Sequence, residues 1–194
     1  MAIVGLLLLA VPAPFYAGES EPGRFDRWVQ SPLDGTLPRR AGLTVDWIGE
    51  PIGRTLAMVA LATVCLVLGR RRLAAVAIAG TVLTSLATTA LKPVVDRTIH
   101  GEFLSYPSGH TAAAVALGLI LALLLVDLLR TGWLAGTLVV LALAVTTGAV
   151  TAWAQITLGA HYPTDTVGGF ATAMAVVPAT AWLVDRIADA RRVE

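Results

Sequence analysis

The stretch Leu91–Thr111, LKPVVDRTIHGEFLSYPSGHT, sets a lysine, an arginine and two histidines beside a Pro-Ser-Gly turn, with long apolar runs on either side. Only Leu158–Gly169, LGAHYPTDTVGG, has comparable polar content at the edge of an apolar run. How these two loops are read decides the fold. If they meet in space they form one anion-sized site, and the remaining chain is the scaffold that holds them at a bilayer surface.

Local rules give each loop a helix start. Serine is a favoured N-cap, and in Tyr106-Pro107-Ser108-Gly109-His110-Thr111 a long apolar run follows it at once. A helix is therefore expected from Ser108, with free N–H groups and the positive end of the helix dipole at its first turn. His110 falls in that turn. In His161-Tyr162-Pro163-Thr164-Asp165, Pro163 suits the first helical position, so Asp165 lies in the first turn and His161 just outside it. A carboxylate four residues from a histidine can hold one imidazole nitrogen and leave the other as a base or nucleophile. Lys92 and Arg97 supply cations, and arginine in particular suits a bidentate grip on phosphate. Singly, each residue has a plain structural reading, as a cap, a loop histidine or a cation snorkelling to headgroups. Their conjunction at one end of a chain with few other charges is what points to chemistry.

The chain has 56% hydrophobic and 14% charged residues, with a mean hydropathy of +0.76. Soluble domains carry about 25% charged residues, so this is a membrane protein composition, here expected as a single domain over 1–194. A net charge of +1 gives no reason to expect nucleic acid as a partner. Cys65 is the only cysteine, which excludes an intrachain disulfide and reads as a small core hydrophobe.

Apolar runs cover Ile52–Gly69, Leu73–Leu91, Thr111–Leu129, Trp133–Trp153 and Thr166–Val184. Each approaches the roughly 20 residues that a helix needs to cross the hydrocarbon. Met1–Tyr16 is apolar but short, broken by Pro12 and Pro14, and lacks the basic start of a secretory leader. It is expected as a retained first span. The fold class is then all-α, a six-span transmembrane bundle. Between the first span and the second lies a different kind of segment. Gly18–Glu50 is polar and rich in proline and glycine; Trp28 and Trp47 suggest that it lies on the membrane and caps the site, with a disordered linker as the rival reading.

Arg70, Arg71 and Arg72 fill a very short turn, Arg130 lies in the next turn on that side, and Arg186, Arg191 and Arg192 follow the last span. The positive-inside tendency makes that face, with the tail 185–194, cytoplasmic. The raw count ties with Arg24, Arg27, Arg39, Arg40, Arg54, Lys92 and Arg97 opposite, and the short arginine turn decides it. Two spans separate the two polar loops, so both fall on the outer face.

The order Lys92…Arg97…Pro107-Ser108-Gly109-His110…His161-x-x-x-Asp165 resembles the type 2 phosphatidic acid phosphatase superfamily of membrane lipid phosphatases, over roughly residues 50–185. That resemblance implies hydrolysis of lipid phosphomonoesters or diphosphates without a metal or other cofactor. It implies that His161 attacks phosphorus to give a phosphohistidine, that Asp165 orients His161, and that His110 is the general acid. Lys92, Ser108 and the Gly109 N–H would bind phosphate oxygens. The partners it implies are a lipid phosphate (polyprenyl diphosphate, phosphatidylglycerol phosphate or phosphatidic acid in type) and membrane lipids, at the outer face of the cell membrane. Two positions depart from the family pattern. Ile99-His100 stand where Arg-Pro is usual, and Ala154-Gln155 where Ser-Arg is usual. Arg97 is the expected substitute for the first arginine, Gln155 a neutral donor for the second. Loss of one pre-organised donor costs roughly 10²–10³ in rate, so the rival is a weakly active or inactive phosphate-lipid binder of the same fold. A transporter would need charges buried mid-span, and the cores of the runs at 52–69, 73–91, 133–153 and 166–184 carry none. Haloperoxidase-like chemistry, known in soluble relatives, suits six apolar spans poorly.

Overall fold

The helix starts expected at Ser108 and Pro163 are where the chain turns into the two most buried helices. The computed structural model describes residues 3, 5–7 and 13–191. After a helical turn at Ala13–Tyr16 come α1 (Arg24–Gln30), α2 (Arg39–Gly49), α3 (Pro51–Val67) and α4 (Arg71–Val95). A two-stranded hairpin follows, β1 (Thr98–Ile99) and β2 (Phe103–Leu104), and then α5 (Gly109–Leu129), α6 (Trp133–Thr157) and α7 (Pro163–Ala190).

Each long helix overruns its apolar run by about a turn at the polar loops, because caps and not hydropathy set the ends. Ser108 is the N-cap of α5, its side chain accepting from the Thr111 N–H. Pro163 opens α7, and Asp165 completes a capping box with the N–H of Tyr162. At the other end of α4, Lys92 and Pro93 are still helical, and Asp96 closes the helix in the left-handed region with φ 54°. The hairpin turns at His100 and Gly101, both at positive φ, and pairs Thr98 with Leu104 and Ile99 with Phe103.

Small residues let the helices approach closely. Val76 and Ala77 of α4, Val115, Ala116, Leu119 and Ile120 of α5, and Ala173, Met174 and Val177 of α7 form one core. Cys65 is fully buried, in a satellite cluster with Ala74 and Leu124. At the end remote from the histidines, Arg70 pairs with Asp127, and Arg72 reaches Asp185 at 3.0 Å and Asp189 at 2.5 Å.

Among the described residues, α4, α5, α6 and α7 are long and apolar enough to cross a membrane. The pair α2–α3, bent by 61°, makes a fifth crossing if it counts as one span. Half of the expected first span, Met1–Tyr16, falls outside the described residues, as does Arg192. The segment 18–50 is not a linker: it holds α1 and α2, and α2 packs on α5 and α6 as well as on α3. Trp28 and Trp47 remain 75% and 51% exposed, as aromatic anchors at a membrane–water boundary would be.

Candidate functional site

The two polar loops meet at one end of the bundle. The Ser108 N–H donates to the carbonyl of Asp165 at 2.9 Å, joining the first turns of α5 and α7. That approach requires glycine at the crossing. A Cβ on Gly169 would lie 2.3 Å from the Ser108 carbonyl oxygen, and one on Gly168 would lie 2.6 Å from the Tyr106 ring. Backbone cannot move aside as a flexible side chain can. Gly169→Ala is expected to destabilise the protein by about 1–3 kcal/mol through overpacking, seen as a lowered melting temperature in detergent. A wild-type value would contradict this packing. Burial, with Asp165 and Tyr16 close by, pushes the Tyr106 phenol up to about 12 despite the opposing Arg97, so this wall of the site stays neutral.

His110 and His161 face one another across this junction, with ring centroids 6.4 Å apart. One phosphoryl group can bridge that separation. His161 is buried, and its Nδ1 looks toward Asp165 Oδ2 at 3.6 Å. Asp165 is itself held on both oxygens. Oδ2 accepts from the Tyr162 N–H at 2.9 Å and Oδ1 from Arg97 at 2.7 Å. His110 is half-buried; its Nε2 has Asp46 Oδ1 at 3.3 Å and Glu50 Oε1 at 3.5 Å, but no hydrogen bond. Gly49 is essential to this contact, since a Cβ there would sit 2.3 Å from the His110 ring. Asp46, Glu50 and His110 are also the one group among the described residues whose donor atoms, all within 4.8 Å of one another, could share a metal ion.

The other expected site residues are placed unevenly. Ser108 is fully buried, and its Oγ accepts from both the N–H and the hydroxyl of Thr111. Gly109 begins α5, where a backbone N–H has no earlier helical carbonyl to meet. Lys92 is half-buried and donates to the Leu104 carbonyl at 2.7 Å. Gln155 is fully buried; its amide donates to Asp46 at 2.6 Å while Oε1 has no partner. Arg97, expected on phosphate, instead commits NH1 to Asp165 and Thr164 and NH2 to Asp26. His100 is exposed, its Nε2 bonded with the Gly159 carbonyl at 2.8 Å, so it braces the hairpin against the loop before α7.

Sequence reasoning missed Asp26, Asp46 and Glu50. All three lie in the mixed-charge segment 18–50, and nothing in their spacing marks them. Thr164 was visible in the second motif but was given no role.

Beside the site runs an apolar groove of about 530 Å³ between the bent α2–α3 pair, α5 and α6. Val45 and Ile48 of α2 line it, with Ala57 and Ala60 of α3 and Ala114 and Leu117 of α5. Ala114 is one helical turn from His110, so the groove starts where the polar site ends.

The fold is shared with a solved structure described as the first transmembrane PAP2 type phosphatidylglycerolphosphate phosphatase from Bacillus subtilis. The TM-score is 0.71 at 17% identity, with 95% of this chain and 94% of that one covered. No curated protein matches the sequence. The PAP2 superfamily family model matches residues 88–189, which begin at the end of α4 and take in both histidine loops. That match covers more than half of the chain. With the apolar helices around it, it makes this protein an integral membrane member of the PAP2 superfamily.

Proposed function

We propose that the protein hydrolyses a lipid phosphomonoester or diphosphate through a phosphohistidine on His161. The observation that carries this reading is the pair of imidazoles 6.4 Å apart, one of them backed by a buried carboxylate. With Nδ1 facing Asp165, the Nε2 of His161 is the nucleophile. Its lone pair forms the N–P bond as the P–O bond to the lipid breaks, and His110 gives its proton to the departing oxygen. Water, deprotonated by the now neutral His110, then attacks phosphorus; the N–P bond breaks, phosphate leaves, and both imidazoles return to their starting states. Lys92, Ser108 and the Gly109 N–H are the donors for the equatorial oxygens, where charge spreads during phosphoryl transfer. Gln155 stands in for a missing arginine, its amide shared with Asp46.

The apolar groove supports a lipid substrate, since Ala114 in its wall is one helical turn from His110 and its walls carry no charge. Lipids of the phosphatidic acid, phosphatidylglycerol phosphate and polyprenyl diphosphate types all fit that description. Counting Met1–Tyr16 and the bent pair, we read six crossings, with the short arginine turn at 70–72 on the cytoplasmic side and the site at the extracytoplasmic surface of the cell membrane.

A phosphate-release panel over such lipids, with purified protein in detergent and chelator present, tests the reading. Release from at least one lipid is expected. Binding of vanadate without release from any would favour a non-catalytic binder, a rival that the Ile99 and Gln155 replacements keep in view. Filling the groove should act on the tail and not on the headgroup. Ala57→Phe is expected to lower kcat/KM for long-chain substrates about tenfold while sparing short-chain ones; equal losses for both would remove the groove from the account.

A further inference from the structure

Arg97 is a buried charge that the phosphohistidine mechanism does not use. Among the described residues the buried charged side chains are Asp26, Arg97 and Asp165, each fully buried, with His161 beside them. An ionised group removed from water must be paired and hydrogen-bonded to persist, and this trio is. Arg97 NH1 donates to Asp165 Oδ1 at 2.7 Å and to the Thr164 hydroxyl at 2.6 Å, and NH2 donates to Asp26 Oδ2 at 2.7 Å. Asp26 Oδ1 accepts from the Thr164 N–H at 2.9 Å and its hydroxyl at 2.7 Å. The Tyr16 and Tyr162 rings enclose the guanidinium, with centroids 4.5 and 4.6 Å from Cζ.

Building on the phosphohistidine reading, we propose that Arg97 and Asp26 are positioning residues for His161, and that the segment carrying α1 is therefore a working part of the active site. Geometrically, Arg97 takes Asp165 Oδ1, which leaves Oδ2 as the oxygen facing His161 Nδ1. The planar fork of arginine, itself fixed by Asp26 and the two rings, sets the angle at which that carboxylate is presented. Electrostatically, Asp165 paired with Arg97 alone would have its charge cancelled. The second carboxylate shares the cation, so the trio keeps one surplus negative charge next to His161. That surplus favours the positive character that His161 gains as it bonds to phosphorus. Arg97 thus acts through Asp165 and does not touch the phosphate.

Asp26→Asn separates this from a phosphate-gripping role. The change keeps the shape but removes the surplus charge and sets an amide N–H₂ against donors that the carboxylate had satisfied. A drop in kcat of about 10–100-fold is expected, as for small misplacements of a catalytic group, with KM and product inhibition by inorganic phosphate within about threefold of wild type. Arg97→Lys, a cation without the fork, should show the same split and exceed Arg97→Gln in kcat. Melting temperatures in detergent identify any variant that has failed to fold, and Arg97→Lys carries the test if Asp26→Asn is one of them. Wild-type kcat in folded Asp26→Asn, or inhibition by inorganic phosphate weakened at least tenfold in Arg97→Lys, would overturn the clamp while leaving the phosphatase reading intact. A wild-type protein that turns over no lipid phosphate would overturn both.

Discussion

Replacing His161 with alanine is expected to stop lipid phosphate turnover, with a loss of roughly 10⁴-fold or more, the scale seen when the nucleophile of a catalytic unit is removed. The size follows from its place in the site. His161 is buried, its Nδ1 faces Asp165, and the imidazole opposite lies 6.4 Å away across the space a phosphoryl group would fill. No other imidazole stands ready to replace it, because His100 is exposed and engaged with the Gly159 carbonyl. The measurement is phosphate release under single-turnover conditions, which reads chemistry and not product release. Affinity for inorganic phosphate in the same variant should persist, since the oxygen donors Lys92, Ser108 and Gly109 are untouched. Undiminished phosphate release from the variant would refute the nucleophile assignment.

His110→Ala is the second large effect, and here the leaving group decides the magnitude. A lipid alkoxide is a poor leaving group that needs a proton as the P–O bond breaks, so loss of the general acid should lower kcat about 10³-fold, within the usual range for general acid–base catalysis. An aryl phosphate such as p-nitrophenyl phosphate departs without help, and for it the loss should be about tenfold or less. The expected signature is thus a difference between two substrates. Equal losses on both would mean that His110 acts on phosphate binding or on folding and not on proton transfer.

What the sequence told about this site was whatever depends on near neighbours. Ser108 and Pro163 announced the starts of α5 and α7 because a cap acts within four residues. The pairing of His161 with Asp165 was visible for the same reason, since only four positions separate them at the start of α7. Even the meeting of the two loops was legible, since the number of spans between them placed them at one end. The destination of Arg97 was not. Its partner Asp26 lies 71 positions away, and the Gln155–Asp46 bond spans 109 positions. A cation near a catalytic loop looks the same in sequence whether it will grip a phosphate or hold a carboxylate. The segment 18–50 was hard to read for a related reason. Its helices are short and amphipathic, and they take their stability from docking on α5, α6 and α7, not from hydropathy that a window would detect.

The account stands or falls on a covalent N–P bond at His161. The most direct test mixes wild-type protein with a lipid substrate radiolabelled in its phosphate, quenches in alkali, where phosphohistidine survives, and maps the label by peptide digestion. Label is predicted on the peptide containing His161, lost on acid treatment and absent from His161→Ala. Rapid phosphate release by wild-type protein with no label trapped on His161, or with label on another residue, would contradict it.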